Sequence, residues 1–119
     1  MLYTLFQVKD KELKLRLTAS ATVQVERKIG RSPVSVLADI ADDKFPRLDE
    51  LLTILWGALL PLESGYTMEK VYKLYDEYVE SGKGVAELSE IIVQVMTDSG
   101  FIPDDNAETH NEGAEEKNG

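Results

Sequence analysis

Leu48-Asp49-Glu50-Leu51-Leu52-Thr53-Ile54-Leu55-Trp56-Gly57-Ala58-Leu59-Leu60 is the stretch whose reading decides the fold. After an acidic first turn it is apolar nearly all round a helical wheel. A helix without a polar face belongs at the centre of a helical domain. Asp49 and Glu50 suit the positive end of its macrodipole, and Trp56 reads as core. Pro61 stops the run short of the roughly 20 apolar residues that a membrane span needs, so no membrane partner is expected.

Working outward, Phe45-Pro46 closes the region upstream. Ser32-Pro33 reads as the N-cap and first-turn proline of a short helix through Val36, Leu37 and Ile40. Downstream, Thr67 caps a helix over Met68–Ser81 with Gly82 beyond it. Met68, Val71, Tyr72, Tyr75, Tyr78 and Val79 form its stripe, opposite Glu69, Lys73, Asp76, Glu77 and Glu80. A last helix, Val85 to Asp98, puts Leu88, Ile91, Ile92, Val95 and Met96 on one side and stops at Gly100.

Before these helices, Tyr3–Val8 and Leu13–Thr18 flank the polar Lys9-Asp10-Lys11-Glu12. Leu13, Leu15 and Leu17 alternate with Lys14, Arg16 and Thr18, which is the periodicity of a half-buried strand, and a β-hairpin follows. The alternation continues through Ala19, Ala21, Val23 and Val25. Against it, Thr18 and Ser20 are good N-caps, and Val25, Ile29 and Gly30 fit a short helix with a glycine stop. Periodicity leaves residues 19–25 open between strand and helix. The expected fold is mainly α with a small N-terminal β-hairpin, an α+β arrangement of about four to five helices on one core, in residues 1–102.

The chain has 119 residues, with 13 Lys and Arg against 22 Asp and Glu, for a formal charge of −9. Pro103–Gly119 holds six acids and one base, hence −5 of that charge, and lacks any large apolar residue. Such a segment buries too little surface to offset its chain entropy, so residues 103–119 read as a disordered acidic tail. The sign of the charge is wrong for binding phosphates, which excludes nucleic acid as the expected partner. The absence of cysteine removes disulfides, thiolate nucleophiles and Cys-based zinc sites. One histidine, His110, falls in the tail and leaves no material for a catalytic triad. The start, Met1 to Val8, has no basic n-region and runs into charge at Lys9, so no targeting segment is read there.

Motifs that carry chemistry fail on inspection. Gly82-Lys83-Gly84 lacks the Ser or Thr that follows the lysine of a phosphate loop. Asp39 to Glu50 has the length of an EF-hand loop, but Lys44 stands where glycine makes the sharp turn and Pro46 sits mid-loop. Asp76/Glu80 and Glu87/Glu90 lie on polar faces, where nothing desolvates one member to make an acid–base pair. No catalytic residue, cofactor or metal is expected. The tyrosines Tyr66, Tyr72, Tyr75 and Tyr78 carry two readings: the edge of the core, or a protein-binding face, since Tyr presents rigid apolar area with a polar tip.

The run Leu13-Lys14-Leu15-Arg16-Leu17-Thr18, then Val25-Glu26-Arg27-Lys28-Ile29-Gly30, resembles the tail assembly chaperones of long-tailed bacteriophages of Gram-positive hosts. A short Pro-bearing helix, Leu51-Leu52-Thr53-Ile54-Leu55-Trp56-Gly57-Ala58-Leu59, Thr67 to Tyr78 and Gly100-Phe101-Ile102 continue the likeness, which covers roughly residues 5–102. The resemblance implies that Ser20 to Ile29 is the first helix. It also implies a non-enzymatic protein made late in infection, in the host bacterial cytoplasm. Its partner would be the tape measure protein, kept soluble while tail tube subunits polymerise around it; the tail tube protein itself is a further candidate. Weak homo-oligomers, and a longer product made by programmed frameshifting, are further implications. Glu116-Lys117-Asn118 can be encoded with the heptamer A-AAA-AAC, at which a −1 slip would extend the chain.

On this reading the client is held by the face of helix 67–81, with Tyr66, Tyr72, Tyr75 and Tyr78, together with Ile92 and Met96 of helix 85–98. An amphipathic aromatic face of this kind covers another helix by helix-in-groove packing. The alternative is a small acidic regulator or inhibitor that mimics nucleic acid, which requires its charge in ordered rows.

Overall fold

In the computed structural model, which describes residues 2–102, Thr4–Val8 (β1) and Lys11–Leu15 (β2) pair antiparallel, with Thr4 opposite Leu15 and Val8 opposite Lys11. The two-residue turn between them places Lys9 at φ 55, in the left-handed region. Thr4, Phe6, Val8, Leu13 and Leu15 are buried and alternate with exposed residues, so one face of the hairpin lies on the helices. Five helices follow: α1 (Ala19–Ile29), α2 (Pro33–Ala41), α3 (Leu48–Leu59), α4 (Met68–Glu80) and α5 (Val85–Asp98). The mainly helical α+β architecture is as the sequence predicts. The expected tail at 103–119, His110 and the Glu116-Lys117-Asn118 site lie outside the described residues.

Residues 19–25 are helical. The Thr18 hydroxyl accepts from the Ala21 N–H at 3.2 Å, and the chain leaves α1 at Gly30, φ 81, whose N–H donates to the Glu26 carbonyl at 2.8 Å. Ala21, Thr22 and Val25 are buried, whereas Val23, inward under strand alternation, is 42% exposed. Side chains on one face of a helix recur at three and four residues, and that spacing wins here.

The central stretch behaves as its composition demands. α3 touches β2 and all four other helices, and its residues from Glu50 to Leu59 are buried except Trp56. Trp56 is only half-buried, a correction to its reading as core: its ring lies under Lys28 of α1, with the ammonium 4.9 Å from the ring centroid. At Gly57 α1 and α3 approach closely, since a Cβ there would collide with Val25 Cγ2.

Two further ties fix the layers. Beyond the hairpin pairing, the outer edge of β2 is covered: the Lys14 N–H donates to the Glu63 carboxylate at 2.9 Å, and the Arg16 N–H to the Ala58 carbonyl at 2.8 Å. Arg31, in the α1–α2 turn, donates to Glu50 at the start of α3 (2.9 and 3.0 Å) and to Asp39 of α2 (2.8 Å). Glu50 also accepts from the Arg47 N–H at 3.2 Å. These hydrogen bonds, that of Arg31 foremost, hold the nearly buried Glu50 carboxyl below the ordinary glutamate range against the opposing effect of burial.

Candidate partner-binding surface

The tyrosines of the sequence-level stripe divide. The buried face of α4 is Val71, Leu74 and Tyr78, spaced three and four residues apart. Leu74 belongs to that face although the expected stripe passed over it. Tyr78 is 3% exposed, with its ring 5.0 Å from that of Phe6, and burial pushes its hydroxyl above the ordinary tyrosine value. Ile92 (1%) and Met96 (0%) are likewise interior. Tyr78, Ile92 and Met96 are therefore corrected from client-contact residues to core: the face of each helix that they occupy is already used inside the monomer. Tyr66, Tyr72 and Tyr75 remain at or near the surface, Tyr72 46% exposed and the other two half-buried.

Tyr72 and Tyr75 line a groove of about 340 Å³ with Leu48 and Leu52 of α3, closed at its rim by Asp49 and Asp76. Leu48 is 43% exposed, so the groove opens an apolar floor to solvent between two acids. Tyr66 lies elsewhere, in a cleft of about 330 Å³ beside Lys11, Lys70 and Lys73, where Glu77 pairs with Lys11 at 2.6 Å. The mutual hydrogen bond lowers the carboxyl of Glu77 and raises the ammonium of Lys11 relative to their ordinary values.

A second apolar groove, about 540 Å³, begins three residues before Leu48. Ile40, Phe45 and Pro46 form one wall, Val85, Ala86 and Ser89 of α5 the other, with Asp43 and Lys44 at the rim. Phe45 is 90% exposed. The backbone holds it out: the Lys44 N–H donates to the Asp39 carbonyl at 2.8 Å, Asp43 turns through φ 59, and Pro46 restricts the residue before it to an extended conformation. In the sequence alone Phe45-Pro46 reads as the close of the preceding helical region. The overlooked signal is a lone Phe in the otherwise polar Asp42-Asp43-Lys44-Phe45-Pro46-Arg47 turn.

The grooves contain no converging desolvated carboxylates. Among the described residues no group of three or more His, Cys, Asp or Glu could hold a metal ion, and no helix is long and apolar enough to cross a membrane. What the arrangement offers is exposed apolar area on either side of the α3 N-terminus, with charge confined to the rims.

A model described as "Family of unknown function (DUF6096)" matches residues 3–117. The chain belongs to the DUF6096 family. That match takes in the hairpin, all five helices and both apolar grooves of this DUF6096 protein. No curated protein and no solved structure matches.

Proposed function

We propose that this protein is a non-enzymatic tail assembly chaperone of a long-tailed bacteriophage, which binds the tape measure protein in the host bacterial cytoplasm and keeps its apolar helical faces from self-associating. The observation that carries the reading is the outward-held Phe45 beside two open apolar grooves. Phe45, 90% exposed, joins Ile40, Pro46 and Val85 in a contiguous apolar surface, the kind of patch that marks a protein-interaction site. The resemblance in the order and composition of the elements from Leu13 to Ile102 supplies the identity of the client.

A client helix laid along α3 and α4 would set its apolar positions into the Leu48–Tyr72–Tyr75 groove, with Phe45 closing over the adjoining turn. Burying one such aromatic contributes about 1.5–3 kcal/mol. That is modest for one site, and sufficient when many copies line one long client. The client-binding residues of this reading are Phe45, Leu48, Tyr72 and Tyr75. Lys9, Lys11, Lys14, Lys70 and Lys73 interrupt the acids of the hairpin and α4, so a nucleic-acid mimic gains no support from the surface.

The test is co-expression with the tape measure protein encoded beside it. Co-purification is expected, and both Phe45→Asp and Tyr72→Asp should abolish it while leaving the chaperone folded. Failure of the two proteins to associate at micromolar concentration in low and high salt refutes the assignment.

A further inference from the structure

The hairpin has two edges, and among the described residues only one is occupied. In an antiparallel pair, successive residues point their N–H and C=O alternately toward the partner strand and away from it. Lys14 and Arg16 point away from β1, since their N–H groups reach Glu63 and Ala58. Leu13 and Leu15 therefore face β1, their partners Phe6 and Thr4 face β2, and the residues between, Leu5 and Gln7, turn their backbone groups outward. Among the described residues nothing hydrogen-bonds to the N–H or C=O of Leu5 or Gln7; the Gln7 amide side chain folds back onto the Lys9 carbonyl instead.

Proteins blunt such an edge with lysine, proline or a bulge. β1 has none of these: Leu2 to Val8 carries no charge and no proline, and its pairing with β2 runs without a break in register. Its outward side chains are Leu5, 45% exposed, and the uncharged Gln7, and Leu2 just before the strand is 69% exposed.

We propose that the free edge of β1 pairs antiparallel with β1 of a second copy of this chain, joining two hairpins into one four-stranded sheet. Charge selects that occupant. The chain carries −9 overall, so two copies repel one another at large, and this uncharged strand can meet itself with no like charges opposed. An antiparallel pair of identical strands is also self-complementary about a two-fold axis. With the axis at Phe6, Leu5 of each copy exchanges backbone hydrogen bonds with Gln7 of the other, and Tyr3 stands opposite Lys9. The segment 103–119 of the same chain is a poor occupant, because its acids and Pro103 disfavour strand pairing. The edge is short, and the dimer is correspondingly weak. It stands independently of the client surface, which is built from other elements.

The experiment is backbone amide exchange of the full chain by NMR, paired with sedimentation velocity, from about 20 μM to about 1 mM. Protection of the Leu5 and Gln7 amides is expected to rise about tenfold or more with concentration, in step with a monomer-to-dimer shift. Leu5→Pro should abolish both effects with the helical spectrum retained, since the Leu5 N–H bonds nothing within the described chain. Leu5→Lys, which sets like charges diagonally across the pair, should do the same if proline perturbs the hairpin. The proposal is overturned if exchange at Leu5 and Gln7 does not depend on concentration, whether fast throughout (a free edge) or slow throughout (an edge covered by its own chain). A dimer that persists in both variants also overturns it.

Discussion

Gly57→Ala tests the close approach of α3 to α1 at Val25. On an open helix surface the change would stabilise by about 1 kcal/mol, because alanine is the better helix former. Here the new methyl collides with Val25 Cγ2 and comes within 3.5 Å of Leu17 Cδ2 and 3.6 Å of the Ala21 carbonyl. Val25 is fully buried, so it yields only by pushing α1 off α3. Overpacking of this kind costs about 1–3 kcal/mol. Set against the propensity gain, the net effect is a destabilisation of about 1 kcal/mol. Val25→Ala alone removes two buried methyl groups and costs about 1.6 kcal/mol in transfer alone, with a cavity contribution on top. In the double variant the new methyl enters the space that Val25 vacates, so Gly57→Ala should turn from destabilising to stabilising. The coupling between the two sites should reach about 1–2 kcal/mol. Urea unfolding followed by far-UV circular dichroism measures all four corners. If Gly57→Ala stabilises the parent by its full helix propensity, or the two changes add to within about 0.5 kcal/mol, α1 does not pack here as described.

Phe45→Ala should leave the urea midpoint of the free protein within about 0.5 kcal/mol of the parent, because its side chain is almost wholly in solvent, yet weaken client binding about tenfold or more in a titration. Tyr78→Ala should behave oppositely, losing about 3–5 kcal/mol of stability by opening a cavity against Phe6 in the core. Thr18→Ala should cost about 1 kcal/mol through loss of the α1 cap, read from the same unfolding curves. Glu50 has a folded pKa below its unfolded value of about 4.3. Its contribution is therefore complete above that value and lost as pH falls through the folded pKa. Parent Tm should fall on acidification from about pH 5 to pH 3, and Glu50→Gln should lower Tm at neutral pH while flattening that slope.

The parts of the fold written in local chemistry were legible. Thr18, Ser32 and Thr67 cap the helices they precede, as side-chain oxygens placed before apolar runs should. The all-apolar wheel of α3 placed it at the centre. Residues 19–25 were ambiguous for a definite reason: Ala21 and Val25 lie four apart, a spacing that satisfies both the period of a strand and that of a helix. Ala19, Thr22 and Val23 separate the two, and their burial or exposure is a property of the packed molecule. The tyrosine stripe was misread at Tyr78 because residue type does not reveal the phase of a helix. Val71 and Leu74 set that phase, and Tyr78 follows them inward. Ile92 and Met96 were read correctly as one face and wrongly as a free one, since whether a face is covered depends on which element lands on it. The Arg31–Asp39–Glu50 cluster joins three elements and leaves no local signature, and Phe45 stood out only by being apolar in a polar turn.

Trp56 is the sole indole of the chain, and it sits half-shielded across the α1–α3 seam with the Lys28 ammonium over its ring. That placement gives the protein a built-in optical gauge. Drawing α1 away would remove a cation from the indole face and admit water together, two changes that both alter its emission. Partners that seat on the grooves without disturbing α1 would leave the spectrum still, so a label-free fluorescence titration distinguishes ligands that merely dock from those that pry the bundle apart.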